Sequence, residues 1–216
     1  MSFDPAELIV WSCVFILSTT VHEASHAWTA LKLGDPTAYH GGQVSLNPWP
    51  HIKREPIGMV IIPLLSFALA GFMIGYASAP IDAYWSDRYP HRSAKVSLAG
   101  PFSNLALCLV STGIFILVAP HVDTSAPTSL PYVLAHFAQV FMFINLLLFT
   151  FNLLPLYPLD GHEGILLFFP ENKAHQIRSG MRSMGMIGLL IAWLLFNKIF
   201  PVIVHFYSSL IGYPLY

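Results

Sequence analysis

The chain of 216 residues is 55% hydrophobic and only 10% charged, and its formal net charge is −1. A soluble globular domain carries about 25% charged residues, so the composition excludes that class. It also excludes a nucleic-acid-binding protein, because the chain contains no basic run. The predicted class is an all-α polytopic membrane protein that forms a single domain over residues 1–216.

Five apolar stretches are each long enough for a membrane-spanning helix, which needs about 20 residues. They cover residues 8–33, 57–79, 94–119, 132–154 and 184–208. They predict a compact bundle of four to five transmembrane helices. The connections between them are polar and rich in Pro, Gly and His, as is typical of loops.

The first stretch contains the motif His22-Glu23-Ala24-Ser25-His26. Two histidines four residues apart lie one above the other on a helix, about 5–6 Å apart at Cβ. This spacing lets both imidazoles bind one zinc ion, with the glutamate beside a water molecule. A chance match in a chain with ten histidines is the alternative. Charged and polar side chains are costly in lipid, however, which favours a functional role.

Two features distinguish the next part of the chain. Residues 41–48 alternate polar and apolar side chains and end at Asn-Pro, which predicts a short β segment. The second apolar stretch contains Pro63, Gly71 and Gly75 and is followed by Pro80. Such breaks suit either a re-entrant element buried in protein or a kinked spanning helix.

The two histidines leave a zinc site incomplete, because catalytic zinc takes three protein ligands. The candidate third ligand is Asp160, which follows the fourth stretch. Pro155 and Pro158 break the helix there, and Gly161 allows a turn that can aim the carboxylate inward. An Asp-Gly loop at the membrane surface is the alternative interpretation.

The order of these motifs resembles that of the site-2 protease family of intramembrane zinc metalloproteases. The resemblance is strongest to small bacterial and archaeal-type members without PDZ or CBS domains, and it covers about residues 8–167. It rests on HExxH at 22–26, LGDPTA at 33–38, LNP at 46–48, AGPFSN at 99–104 and the pattern NxxPxxxLDG at 152–161.

The resemblance implies a catalytic core over about residues 8–167 and one Zn²⁺ per chain. The last apolar stretch separately predicts a C-terminal helix over about 184–208. The implied zinc ligands are His22, His26 and Asp160. Glu23 would be the catalytic acid/base, which takes a proton from water and later delivers it to the leaving amine. Asn104 and Asn152 are candidates for contacts to the substrate or its oxyanion, and a hydrogen bond between helices is the alternative for each.

The implied reaction is hydrolysis of peptide bonds in or near transmembrane segments of a protein or peptide substrate within the bilayer. Such a substrate must unwind locally, and the edge of a strand near residues 42–46 would hold it extended by strand addition. Similar members often read LDGGR, whereas this chain has His162 and Glu163 after the LDG motif. His162 is therefore either an accessory ligand or a loop histidine.

Two function classes remain as alternatives. A haem- or metal-binding transporter or electron carrier could use His136 and His205, which lie in apolar stretches. A catalytically silent relative would instead bind transmembrane partners without cleaving them. The intact HExxH and LDG motifs favour the protease over both, and the sequence leaves the oligomeric state open.

The ligands must lie at one depth in the membrane, and this requirement constrains the second stretch. His22 lies about 21 Å along a helix from residue 8, beyond the midplane. Asp160 reaches that depth only if residues 57–93 return to the face where they start. That topology puts nine of the ten Lys and Arg residues on one face, whereas a single crossing divides them three and six. The positive-inside rule then predicts an external N-terminus and a zinc site nearer the cytoplasmic face of a bacterial or archaeal cell membrane.

Overall fold

The computed structural model describes residues 4–215, and these form ten α-helices joined by loops and short helical turns. The helices are α1 (Pro5–Leu33), α2 (Thr37–His40), α3 (Pro48–Arg54), α4 (Ile62–Ala70), α5 (Ala83–Arg88), α6 (Pro90–Val118), α7 (Leu130–Asn152), α8 (Gly161–Gly164), α9 (Glu171–Arg182) and α10 (Gly185–Ile211). A π-helical turn, Ile57–Ile61, precedes α4, and 3₁₀ turns occur at Ala119–His121 and Ile165–Phe168. Helices α1, α6, α7 and α10 are long and apolar enough to cross a membrane. The predicted all-α polytopic bundle is therefore confirmed.

Apolar packing fixes α1 against its neighbours. Asp4 begins α1 by accepting a hydrogen bond from the amide of Ala6 at 2.8 Å. Further along the helix, Trp11 and Phe15 lie in a buried cluster with Ile144 of α7. A second cluster joins α6, α7 and α10, and it includes Phe115, Met142, Phe196 and Phe200. Lipid tails are as apolar as these side chains, so close van der Waals packing within the clusters holds the long helices together.

Residues 57–82 enter and leave the bundle at the same end. The helical part ends at Gly71, whose φ of 78° is one that residues with a Cβ rarely adopt. From Gly71 the chain turns back as a non-helical segment. Ser78, on the returning segment, donates to Oε1 of Glu55, which precedes the element, at 2.6 Å. The 14 residues of 57–70 span only about 21 Å, less than the bilayer core of about 30 Å. The sequence predicts a re-entrant or hairpin element here, and the chain does fold back on itself rather than continue as one long kinked helix.

The predicted β segment at residues 41–48 is not present, because the described part of the chain contains no strand. The two ends of this run instead form hydrogen bonds with the neighbouring helices. The amide of Gln43 donates to the carbonyl of Ala38 in α2 at 2.9 Å. The Asn47 side chain accepts from the amide of Trp49 at 3.0 Å and begins α3. The intervening residues are too few to form a ladder, and no neighbouring strand pairs with them.

Candidate metal centre

Two histidines of α1 and an aspartate from a distant loop meet inside the bundle. The Nε2 atoms of His22 and His26 lie 3.0 Å apart. Asp160, in the loop between α7 and α8, places Oδ2 3.1 Å from Nε2 of His22 and 3.4 Å from Nε2 of His26. Both histidines are buried, and the Asp160 side chain is 20% exposed. The structure thus places side by side the three residues that were predicted as metal ligands.

Hydrogen bonds to α6 determine which ring nitrogens of the histidines are free. Nδ1–H of His22 donates to Oδ1 of Asn104 at 2.5 Å, and Nδ1–H of His26 donates to the carbonyl of Val96 at 2.7 Å. When both imidazoles are neutral, as metal binding requires, each Nε2 presents a lone pair toward the other and toward the Asp160 carboxylate. Three electron-rich atoms at such distances repel one another, so the arrangement suits a cation.

The wall of α6 that faces the histidines consists of Val96, Gly100 and Asn104, which are spaced one helical turn apart. A Cβ atom at Gly100 would lie 2.5 Å from Nε2 of His22 and 2.3 Å from Nε2 of His26. Such contacts are far inside van der Waals separation. Glycine at this position therefore leaves the room that the two imidazoles occupy.

The separations between the three acceptor atoms fit a tetrahedral zinc ion. Zinc bonds of about 2.0–2.1 Å in a tetrahedron separate two ligand atoms by about 3.3 Å. The separations in this structure are 3.0, 3.1 and 3.4 Å. Two imidazoles and a carboxylate are also a donor set of catalytic zinc sites, which keep a fourth position open. The residues present therefore fit one zinc ion.

Glu23 lies beside this group with part of its carboxylate unpaired. Its side chain is buried, and within residues 4–215 Oε2 has no hydrogen-bond partner. A carboxylate oxygen of Glu23 lies within 4.8 Å of ligand nitrogens of His22 and His26. Glu23 is thus a second candidate for the third ligand, but Asp160 lies closer to the distance that zinc requires. An unpaired buried carboxylate is costly, which suits a group that exchanges a proton with water.

Asn104 is completely buried, and its amide hydrogens are already used. Nδ2 donates to Oδ1 of Asn145 at 2.8 Å and to the carbonyl of Ser18 at 3.3 Å, which assigns Oδ1 as the acceptor for His22. Asn145 in turn donates to Oγ of Ser18 at 2.9 Å. The contacts of Asn104 are therefore those of the alternative given above, a hydrogen bond between helices. Asn145 was missed at the level of sequence, although an amide within an apolar stretch was a usable signal.

The contacts of Asn104 carry a testable consequence for zinc binding. We expect Asn104→Ala to weaken zinc affinity by about 10–100-fold, because partners that orient a ligating histidine typically contribute this much. Zinc affinity is measured by chelator competition on the purified full chain. Asn152→Ala is the matched control, since Asn152 donates to the Leu148 carbonyl of its own helix. Equal zinc affinity in Asn104→Ala and wild type would contradict this orienting role.

The residues that follow Asp160 make contacts of their own. Nδ1–H of His162 donates to the Leu159 carbonyl at 2.6 Å, and its Nε2 lies 3.4 Å from Oε1 of Glu163. Burial raises the pKa of Glu163, but interactions with His162 and Arg178 outweigh burial and hold this pKa at about 2. Both ring nitrogens of His162 thus face groups of its own loop. This geometry favours the loop histidine over the accessory ligand.

The histidines that a haem or electron-transfer site would use lie in different surroundings. His136 places Nε2 2.8 Å from Oε1 of Glu7, and His205 is exposed on α10. Neither belongs to the group of metal-ligating side chains found among residues 4–215. Their placement gives no support to the transporter or electron-carrier alternative.

Comparison with known proteins finds relatives that are all named "Putative zinc metalloprotease". The chain is 35% identical over 183 residues to the Bacillus subtilis protein named "Putative zinc metalloprotease YwhC". The matched region covers 84% of this chain and 77% of that protein. The chain belongs to this zinc metalloprotease family. Rip2 of Mycobacterium tuberculosis H37Rv and MJ0611 of Methanocaldococcus jannaschii bear the same designation, at 29% and 30% identity.

The relatives in this zinc metalloprotease family differ in length. The matched region covers 70% of this chain and 54% of Rip2, and 69% of this chain and 64% of MJ0611. The chain thus spans only about half to two-thirds of these two relatives. No protein-family model and no solved structure matches the chain.

Proposed function

We propose that this chain is an intramembrane zinc metalloendopeptidase of the site-2 protease type, which hydrolyses peptide bonds in or near transmembrane segments. The observation that carries the proposal is the convergence of His22, His26 and Asp160 beside Glu23, within a bundle of apolar helices. Ionisable side chains inside a membrane protein are costly and mark functional sites. The zinc metalloprotease names of the relatives support the same assignment.

Each residue of the group has a role in this proposal. His22, His26 and Asp160 hold one zinc ion, and Asn104 and the Val96 carbonyl orient the two imidazoles. The ion would polarise the scissile carbonyl and acidify a water molecule. Oε2 of Glu23 accepts a proton as the water oxygen bonds to the carbonyl carbon. The same proton then passes to the amine nitrogen as the C–N bond breaks.

A cavity of about 280 Å³ beside α1 is the proposed path for the substrate chain. It is lined by Ala24, Ser25, Trp28, Val44, Ser45 and Leu46. The lining joins the turn of α1 that carries the histidines to the segment between α2 and α3. This segment lacks regular structure, so we propose that an unwound substrate lies along it in an extended form rather than joining a preformed sheet. Asn152 remains a candidate for contact with that substrate.

The position of the group along α1 supports a site near one membrane surface. His22 is about 17 Å from the Leu33 end of the helix and about 26 Å from the Pro5 end. We propose that the Leu33 end is cytoplasmic. With a re-entrant second stretch, nine of the ten Lys and Arg residues lie on that side of the membrane, and basic residues favour the cytoplasmic side. The host membrane would be that of a bacterial or archaeal cell, because the relatives come from a bacterium and an archaeon.

Removal and restoration of zinc test the proposed function. The full chain is reconstituted in vesicles with a panel of tagged single-span polypeptides that carry helix-breaking Gly or Pro residues within the span. We expect zinc at one equivalent per chain, cleavage within a span, loss of cleavage with a chelator and recovery with stoichiometric zinc. Cleavage that persists after zinc removal would overturn the proposal. Bound zinc without cleavage of any panel member would instead favour the catalytically silent relative.

A further inference from the structure

A second cluster of charged side chains lies next to the loop that carries Asp160, and two of its members are buried. Its centre is Arg178 of α9, which is only 2% exposed although α9 is otherwise a largely polar helix. Nη2 of Arg178 donates to Oε2 of Glu163 at 2.7 Å. Nη1 donates to Oδ1 of Asp87 at 2.5 Å and to the Ser86 carbonyl at 3.3 Å. A single guanidinium thus joins α9 to α5 and α8.

Glu163 belongs to the same short helical turn as Asp160. The backbone amides of Glu163 and Gly164 donate to the Asp160 carbonyl at 3.1 and 3.0 Å. The Glu163 carboxylate also accepts from Oγ of Ser93 on α6 at 3.4 Å. Movement of Glu163 therefore moves the backbone that positions the Asp160 carboxylate.

The Arg178–Glu163 ion pair is buried, so losing either partner would disturb the turn that carries Asp160. Removing one partner of a buried ion pair is strongly destabilising, because the remaining charge loses a main partner. Here the partners are Arg178 and Glu163, with side chains 3% and 8% exposed.

We propose that the Arg178–Glu163 ion pair is a positioning device for Asp160, and that α9 thereby belongs to the metal centre. The inference rests on the proposed function only in taking Asp160 as a zinc ligand. A ligand carboxylate must be held within a few tenths of an ångström, and outer contacts supply that restraint. The alternative is that the pair only attaches α9 to the bundle, without effect on the metal site.

A double-mutant cycle separates these two roles. Zinc affinity is measured by chelator competition for the wild-type chain, Arg178→Met, Glu163→Gln and the double variant. We expect each single substitution to weaken zinc binding by about 10–100-fold. The double variant should bind zinc about as weakly as either single variant, because each single substitution already removes the pair that acts as one unit. The absorption bands of the Co²⁺-loaded protein should shift in the single variants, as they report ligand geometry rather than stability.

Arg182→Met is the matched control on the same helix. Nη2 of Arg182 lies 3.5 Å from Oε1 of Glu163, but the Arg182 side chain is 50% exposed and its loss leaves the Arg178 pair intact. We expect zinc affinity within about twofold of wild type, since ion pairs with an exposed partner contribute little. Should Arg178→Met fail to fold, Arg178→Lys retains the charge without the two-pronged contact, and a smaller loss of affinity is expected.

The outcomes distinguish this inference from the proposed function. Wild-type zinc affinity and an unshifted cobalt spectrum in both single variants would overturn the positioning role while leaving the protease assignment intact. A double variant as weak as the product of the single losses would overturn the ion pair as the cause. Failure of the wild-type chain to bind zinc would instead overturn the proposed function.

Discussion

Replacement of Glu23 by glutamine is expected to lower the rate of substrate cleavage by about 10²–10⁴-fold while zinc remains bound. Glutamine has nearly the same shape as glutamate but accepts no proton at neutral pH. Oε2 of Glu23, which has no hydrogen-bond partner among the described residues, is the atom that accepts the proton in the proposed mechanism. The measurements are the cleavage rate in vesicles at saturating substrate and the zinc content of the purified chain.

Glu171→Gln is the matched control, because the Glu171 side chain is 57% exposed and pairs with His91 away from the metal group. We expect this variant to cleave at the wild-type rate. Loss of zinc together with activity in Glu23→Gln would make Glu23 a ligand in place of Asp160. Unchanged cleavage in Glu23→Gln would contradict its role as acid/base.

Replacement of Gly100 by alanine is expected to weaken zinc binding by about 10–100-fold and to reduce cleavage with it. The added Cβ would lie 2.3–2.6 Å from ring atoms of His22 and His26. The two imidazoles cannot retreat freely, because Asn104 and Val96 on either side of Gly100 hold them by hydrogen bonds. Forced overpacking typically costs about 1–3 kcal/mol, and here the displaced atoms are the ligand atoms.

Gly113→Ala on the same helix separates this local effect from a general effect on α6. A Cβ at Gly113 would meet no atom within 4 Å. We expect Gly113→Ala to bind zinc and cleave substrate as the wild type does. Chelator competition on both variants makes the comparison direct. Wild-type zinc affinity in Gly100→Ala would show that the histidines lie farther from α6 than the structure indicates.

Much of the fold and of the candidate site could be predicted from the local spacing of residues. The helical period alone places His22 and His26 on one face of α1, and the length of the apolar stretches predicts the long helices. Pro63 and Gly71, together with the depth argument, anticipated the fold-back of this stretch that the structure shows. The short β segment was wrong, because Asn47 begins a helix and no partner strand lies beside the run.

By itself the sequence determined the class of the protein, its apolar spans and the motifs that make zinc chemistry the best proposal. These properties depend on composition and on neighbours a few residues apart. The tertiary structure decided which groups surround the histidines: the Asn104–Asn145 contact spans 41 positions, and the Arg178–Asp87 ion pair spans 91. Such contacts depend on how the helices pack, and the identity of a single residue carries no record of its distant partner. The structure therefore adds the orienting amides, the bare backbone at Gly100 and the buried pair behind Asp160.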